Sequence, residues 1–260
     1  MDECLDLISS HDVDGLELLP SMIWSDPLSA TSEEISKFKK LVDSYGIHVC
    51  SMHSLTYPRP DLKIFSTPSK REELIDYICK LGKLASKFDC PYMVYGSGSS
   101  RIIGGLNKDK AYSILTETFR EIAKKLNDLD VVLLIEYLSS EYTDCINSAD
   151  EAAKLVSDVD HDAFQLHVDL RTSFETGEDI CHVWDNYGNI VRHCHVGNPG
   201  LKPPSKECML HNVASQAMNK SNYRGYISLE MKREYCNNLE DISSAINFVK
   251  DVYLNEHYIQ

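Results

Sequence analysis

The chain has 260 residues, a formal net charge of −14, 43% hydrophobic and 25% charged residues; this is the balance of a globular chain with one sizeable core, assigned here as a single domain, 1–260. The acidity argues against nucleic-acid binding, which needs a clustered basic face. No apolar run approaches the ~20 residues of a membrane span, so no membrane partner is expected.

Nine scattered cysteines include no CxxC pair, which suits reduced thiols in a cytosol better than a disulfide framework. The opening MDECLDLISSHD has neither the basic nor the apolar region of a signal peptide. Together these predict a cytoplasmic protein, with a homo-oligomer left open.

In chain order, residues 2–10 read as a helix and 15–19 (GLELL) as a short strand ended by Pro20. A helix opens near Thr31-Ser32-Glu33-Glu34 with Ser32 as N-cap and runs to about residue 44. Residues 47–53 form a strand, 68–88 a helix, 92–96 a strand and 108–129 the longest helix. VVLLIEY at 131–137 is a continuous apolar run of the kind buried on both faces of a parallel sheet. Then follow helix 148–158, strand 164–170, helix 178–186, strand 190–196, helix 206–220, strand 226–231 and helix 239–254. Repeating βα units of this length predict an α/β fold, a (β/α)8 TIM barrel. Only seven strands are found, because the chain opens on the helix that would follow a first strand. The barrel is therefore expected to lack or shorten strand 1, with an open edge to be covered.

Glu136, Asp169, His195 and Glu230 each stand at the end of such a strand, at intervals of 33, 26 and 35 residues (136 to 169, 169 to 195, 195 to 230). The carboxyl ends of parallel barrel strands converge on one face, where active sites are built. Singly, each residue reads more simply as a solvated rim charge. Three carboxylates and an imidazole gathered together call for a cation, and three oxygens with one nitrogen suit Mn²⁺, Mg²⁺, Co²⁺ or Zn²⁺. One such ion is the expected cofactor.

With these residues in view, the motifs LLIEY, HVDL, HCHVGNPG and SLEM resemble the xylose isomerase-like TIM-barrel superfamily of sugar and sugar-phosphate isomerases and epimerases. The likeness runs from GLELLP at Gly15 through ISLEMKR at Ile227. It implies that Glu136, Asp169, His195 and Glu230 are the metal ligands, spaced as in the tagatose/psicose 3-epimerase branch. Two departures stand out: Thr172 and Leu201 occupy places where that branch has a substrate-binding histidine and arginine.

The resemblance implies a metal-dependent isomerase or epimerase of a sugar, sugar phosphate or related polyhydroxy acid, acting through an enediolate. Glu136 and Glu230, on strands facing one another, are the expected base and acid. His53, Arg101, Lys202, Lys232 and Glu17 border the expected mouth as substrate-binding candidates. Arg101, after the Gly/Ser loop at 96–100, is the candidate for a substrate phosphate or carboxylate. The alternatives are a dehydratase on the same site and a non-catalytic barrel module for binding or assembly, since fold alone does not establish activity.

Overall fold

The computed structural model describes residues 2–254. Seven parallel strands form one sheet in sequential order: β1 (Gly15–Leu18), β2 (His48–Met52), β3 (Tyr92–Tyr95), β4 (Val132–Glu136), β5 (Phe164–Asp169), β6 (Val191–Val196) and β7 (Tyr226–Leu229). The helices are α1 (Asp2–Ser10), α2 (Pro20–Ile23), α3 (Ser32–Ser44), α4 (Pro68–Ser86), α5 (Lys108–Asn127), α6 (Ala149–Val159), α7 (Leu170–Thr176), α8 (Ile180–Tyr187), α9 (Leu210–Lys220) and α10 (Leu239–Val249). The sheet curls into a nearly closed TIM barrel, as the βα alternation predicts. Among the described residues, no helix is long and apolar enough to cross a membrane.

Local chemistry explains most boundaries. Thr31, rather than Ser32, caps α3: its hydroxyl accepts from the Glu34 N–H while Glu34 bonds back to the Thr31 N–H. Such a box satisfies two helix-end donors that would otherwise lack partners. In α5, Ala111, Leu115, Phe119, Ile122 and Leu126 are all buried, a 3.6-residue stripe facing the sheet. Phe119 stacks on Phe164 of β5 at 4.9 Å. Leu133, Leu134 and Ile135 of β4 are fully buried, as a strand covered on both faces requires. The short α7 was not anticipated; Asp169 starts it by accepting from the Arg171 N–H. The helix expected from 206 begins only at Leu210.

The expected open edge is real: β1 and β7 end the sheet and are not hydrogen-bonded to each other. A cavity of about 700 Å³ lies between them, lined by Gly15, Glu17, Cys50, Tyr226 and Ser228, and by apolar residues of α1 and α10. Side chains bridge it at one level. Tyr226 passes Gly15 to hydrogen-bond His48 of β2, and a Cβ on Gly15 would stand only 3.1 Å from the Tyr226 ring. On the outside, α1 is tied to α10 where His11 Nε2 meets Ser243 Oγ at 2.7 Å.

Candidate active site

Because all strands run parallel, their carboxyl ends share one mouth. Glu136 ends β4, Asp169 ends β5, His195 stands one residue before the end of β6, and Glu230 directly follows β7. Asp169 pairs in register with His195. Residues two apart on a strand face the same side. The strand residues two places earlier, His167, His193 and Ser228, therefore form a second layer beneath.

At the mouth, His53 lies between the two glutamates. Its Nε2 is 3.7 Å from Glu136 Oε2 and its Nδ1 is 3.7 Å from Glu230 Oε1. His195 Nε2 lies 2.7 Å from Glu17 Oε1, and its Nδ1 is 3.4 Å from Glu230 Oε2. Burial works against ionisation of His195, but the Glu17 and Glu230 charges raise its pKa well above the ordinary value. Burial likewise opposes the charge on Glu230, yet His195 brings its pKa down to about 2. Asp169 goes the other way: burial and then the Glu230 charge push its carboxyl up to about 7. Its oxygens are nonetheless well held. Oδ2 lies 2.6 Å from Arg171 Nη2 and accepts from Thr172 Oγ1 at 3.2 Å, while Oδ1 accepts the Arg171 N–H at 2.9 Å.

The mouth opens into a cavity of about 600 Å³ that includes His53, Glu136, Arg171, Leu201 and Glu230 in its wall. Of the five substrate-binding candidates only His53 lines it. Arg101 is fully buried and donates to the Glu136 carbonyl at 2.9 Å. The 3₁₀ turn Gly98–Arg101 carries the side chain inward under the strand end. The expected anion contact is therefore corrected: Arg101 supports the backbone that carries Glu136. Lys202 and Lys232 are exposed outside the cavity wall; their backbones pair with Asn198 and Leu201. Glu17 bonds His195 and Ser51 and lines the β1/β7 cavity rather than the mouth cavity, although its Oε1 comes within 4.0 Å of His53 Nδ1.

Sequence reasoning missed Arg171, Glu141, Tyr57 and Tyr142, all in the cavity wall. Arg171 had a signal, an arginine two places after a strand-end aspartate. The loop residues had none, because loop approach is set by tertiary packing.

Several atoms at this mouth suit a cation. Glu230 Oε2 and His195 Nδ1 are buried, face one another and have no hydrogen-bond partner. Among the described residues, two sets bring three donor atoms within 4.8 Å of each other: Glu17, His53 and His195, and His167, His193 and His195. The expected quartet shares a mouth but does not converge this tightly. Arg171 holds Asp169 aside, and carboxylates without an ion between them repel.

Gly96 makes room for Glu136: a Cβ there would stand 1.8 Å from Glu136 Oε2. Gly96→Ala is expected to expel that carboxylate and cost about 1–3 kcal/mol, read as a lowered denaturant midpoint with unchanged far-ultraviolet dichroism. A midpoint within error of the parent would show that the loop yields instead.

Residues 5–252 match the family described as xylose isomerase-like TIM barrel, and the chain belongs to that family. No curated protein matches it. Among solved structures, it is similar to D-psicose 3-epimerase of Clostridium cellulolyticum H10, crystallised with D-tagatose: TM-score 0.82, 18% identity, covering 97% of this chain and 94% of that one. It is also similar to an E. coli 3-keto-D-glucoside 4-epimerase (TM-score 0.81, 12% identity, covering 95% and 92%). A Brucella melitensis AP endonuclease of family 2 follows (TM-score 0.76, 16% identity, covering 96% and 93%). At these identities the likeness is one of fold.

Proposed function

We propose that the protein is a divalent-metal-dependent isomerase or epimerase of a small, uncharged polyhydroxy carbonyl compound. The observation that carries this reading is the pair Glu136 and Glu230, each 3.7 Å from a different nitrogen of His53 in the wall of one open cavity. The sugar epimerases among the similar folds support it. The charge of the wall favours a neutral substrate over a phosphate or acid. Glu136, Glu141 and Glu230 line it, while its arginine, Arg171, is already engaged by Asp169 and Glu175.

An ion at the mouth would be held by Glu136, Asp169, His195 and Glu230 once its charge draws the carboxylates together, with Glu17 fixing the Nε2 proton of His195 so that Nδ1 faces outward. When bound, the ion supplies Lewis-acid polarisation of the substrate carbonyl. Ionised Glu230 accepts the proton from the carbon beside that carbonyl. Glu136, on the other side of His53, returns a proton to the opposite face. His53 stands between the two and donates to substrate oxygen or to whichever carboxylate carries charge.

Incubation with a panel of neutral ketoses and their phosphates in D₂O, followed by NMR, tests this. Deuterium at carbon in a rearranged neutral sugar is expected. Net loss of water identifies a dehydratase, and turnover of the phosphates alone removes the charge argument.

Binding should also depend on pH. Asp169 keeps its proton up to about 7 and His195 keeps its own to higher pH; ligation displaces both. Mn²⁺ affinity is therefore expected to fall at least about tenfold per pH unit below 7. Calorimetry in buffers of different ionisation heat counts the released protons; a flat affinity from pH 6 to 8 with none released would exclude these ligands.

A further inference from the structure

Barrels of this kind fill the interior beneath the mouth with layers of branched apolar side chains. Here the layer under the mouth contains His167, His193 and Ser51, all fully buried. A polar layer in a dry interior needs a reason, because each unsatisfied polar atom there is costly. His167 Nε2 has no partner at all.

We propose that this layer is a second metal site, beneath the mouth and sharing His195 with it, in which His167, His193 and His195 take a zinc-like divalent ion. Each of the three offers a nitrogen within 4.8 Å of the others. His167 Nδ1 and His193 Nδ1 are 3.3 Å apart. Two nitrogens bound at 2.0–2.1 Å in tetrahedral geometry stand about 3.3 Å apart, so the pair is spaced as a zinc bite. The other nitrogen of His193 lies 2.9 Å from Ser228 Oγ and 3.3 Å from Ser51 Oγ. Donation of its Nε2 proton to these hydroxyls leaves the Nδ1 lone pair pointing at His167, the outer-shell arrangement that fixes a ligand tautomer. Ser51 in turn donates to Glu17 Oε2 at 2.5 Å, and that oxygen lies 3.7 Å from His193 Nδ1. Glu17 thus brings negative charge beside both His193 and His195.

A buried site also needs an entry path. The cavity between β1 and β7 supplies one from the side, because Glu17 and Ser228 form part of its wall. Three nitrogens favour Zn²⁺, Co²⁺ or Ni²⁺ over Mg²⁺ and Mn²⁺, whereas the oxygen-rich mouth has the opposite bias. The site does not depend on the enzymatic reading, although it shares His195 with it. A neutral imidazole has one lone pair, so with both ions bound His195 would serve both only as an imidazolate, its Nε2 proton leaving by way of Glu17 at 2.7 Å.

The test is Zn²⁺ stoichiometry by elemental analysis, with zinc-edge X-ray absorption to count imidazoles, on the full chain stripped with chelator and reloaded. The wild-type protein is expected to hold two equivalents of Zn²⁺. Asp169→Ala should keep one, still surrounded by about three imidazoles, and His193→Gln should lose that one. A wild-type protein with a single oxygen-rich ion overturns the inner site and leaves the mouth reading intact. Loss of all Zn²⁺ from Asp169→Ala, with full retention in His193→Gln, does the same. If His193→Gln loses Zn²⁺ and Asp169→Ala keeps every equivalent, the inner site stands and the mouth assignment falls. Should His193→Gln not fold, the imidazole count in Asp169→Ala decides, because fewer than two overturns the proposal.

Discussion

Glu136→Gln and Glu230→Gln are each expected to lower kcat by about 10²–10⁴-fold while keeping much of the affinity for Mn²⁺. An amide oxygen still coordinates, but an amide cannot accept a proton near neutral pH, and general acid–base groups contribute about that range. The environments of the two residues separate their roles. Glu230 is held ionised, down to about 2, by His195 against the opposing effect of burial, so it is the one placed to remove the first proton. Glu136 is nearly inaccessible, with its backbone carbonyl taken by Arg101. In D₂O, Glu136→Gln should therefore still exchange the substrate proton without completing epimerisation, whereas Glu230→Gln should do neither. Near-parental turnover in both, with metal retained, would make the glutamates ligands only and turn attention to His53.

Arg171→Met is expected to destabilise the metal-free protein by about 3–5 kcal/mol at pH 8. Its guanidinium lies 2.6 Å from Asp169 Oδ2 with both side chains almost wholly buried, and removing one partner of a buried pair leaves an uncompensated charge. The loss should shrink as the pH falls, since Asp169, already pushed up to about 7, takes a proton more readily without its cation. Saturating Mn²⁺ should also offset it, by replacing the lost positive charge at the same carboxylate. Urea denaturation at pH 6 and pH 8, with and without Mn²⁺, measures all three effects. A pH-independent loss untouched by Mn²⁺ would mean that Arg171 serves packing alone.

The repeating βα pattern was legible along the chain because each apolar run and each amphipathic helix carries its own period. So were the open edge and the four residues at strand ends, since parallel strands necessarily bring their carboxyl ends to one face. The inner imidazoles had a signal that went unread: His167 and His193 stand two places before Asp169 and His195 and so share their face.

Side-chain direction beyond the strands was not legible. Arg101 and Arg171 are both arginines shortly after a strand, yet one turns under Glu136 and the other turns over Asp169 into the cavity wall. Lys202 and Lys232 sit near the right strands but outside that wall. Glu17, read as a rim residue, became the partner of His195 because β1 pairs with β2 while its other side remains open. By itself, then, the sequence determined the strand order and which strand-end residues share one face, because both follow from periodicity and chain direction. Only the tertiary structure decided which charges neutralise one another there, because that depends on turn geometry and on contacts between segments far apart in the chain.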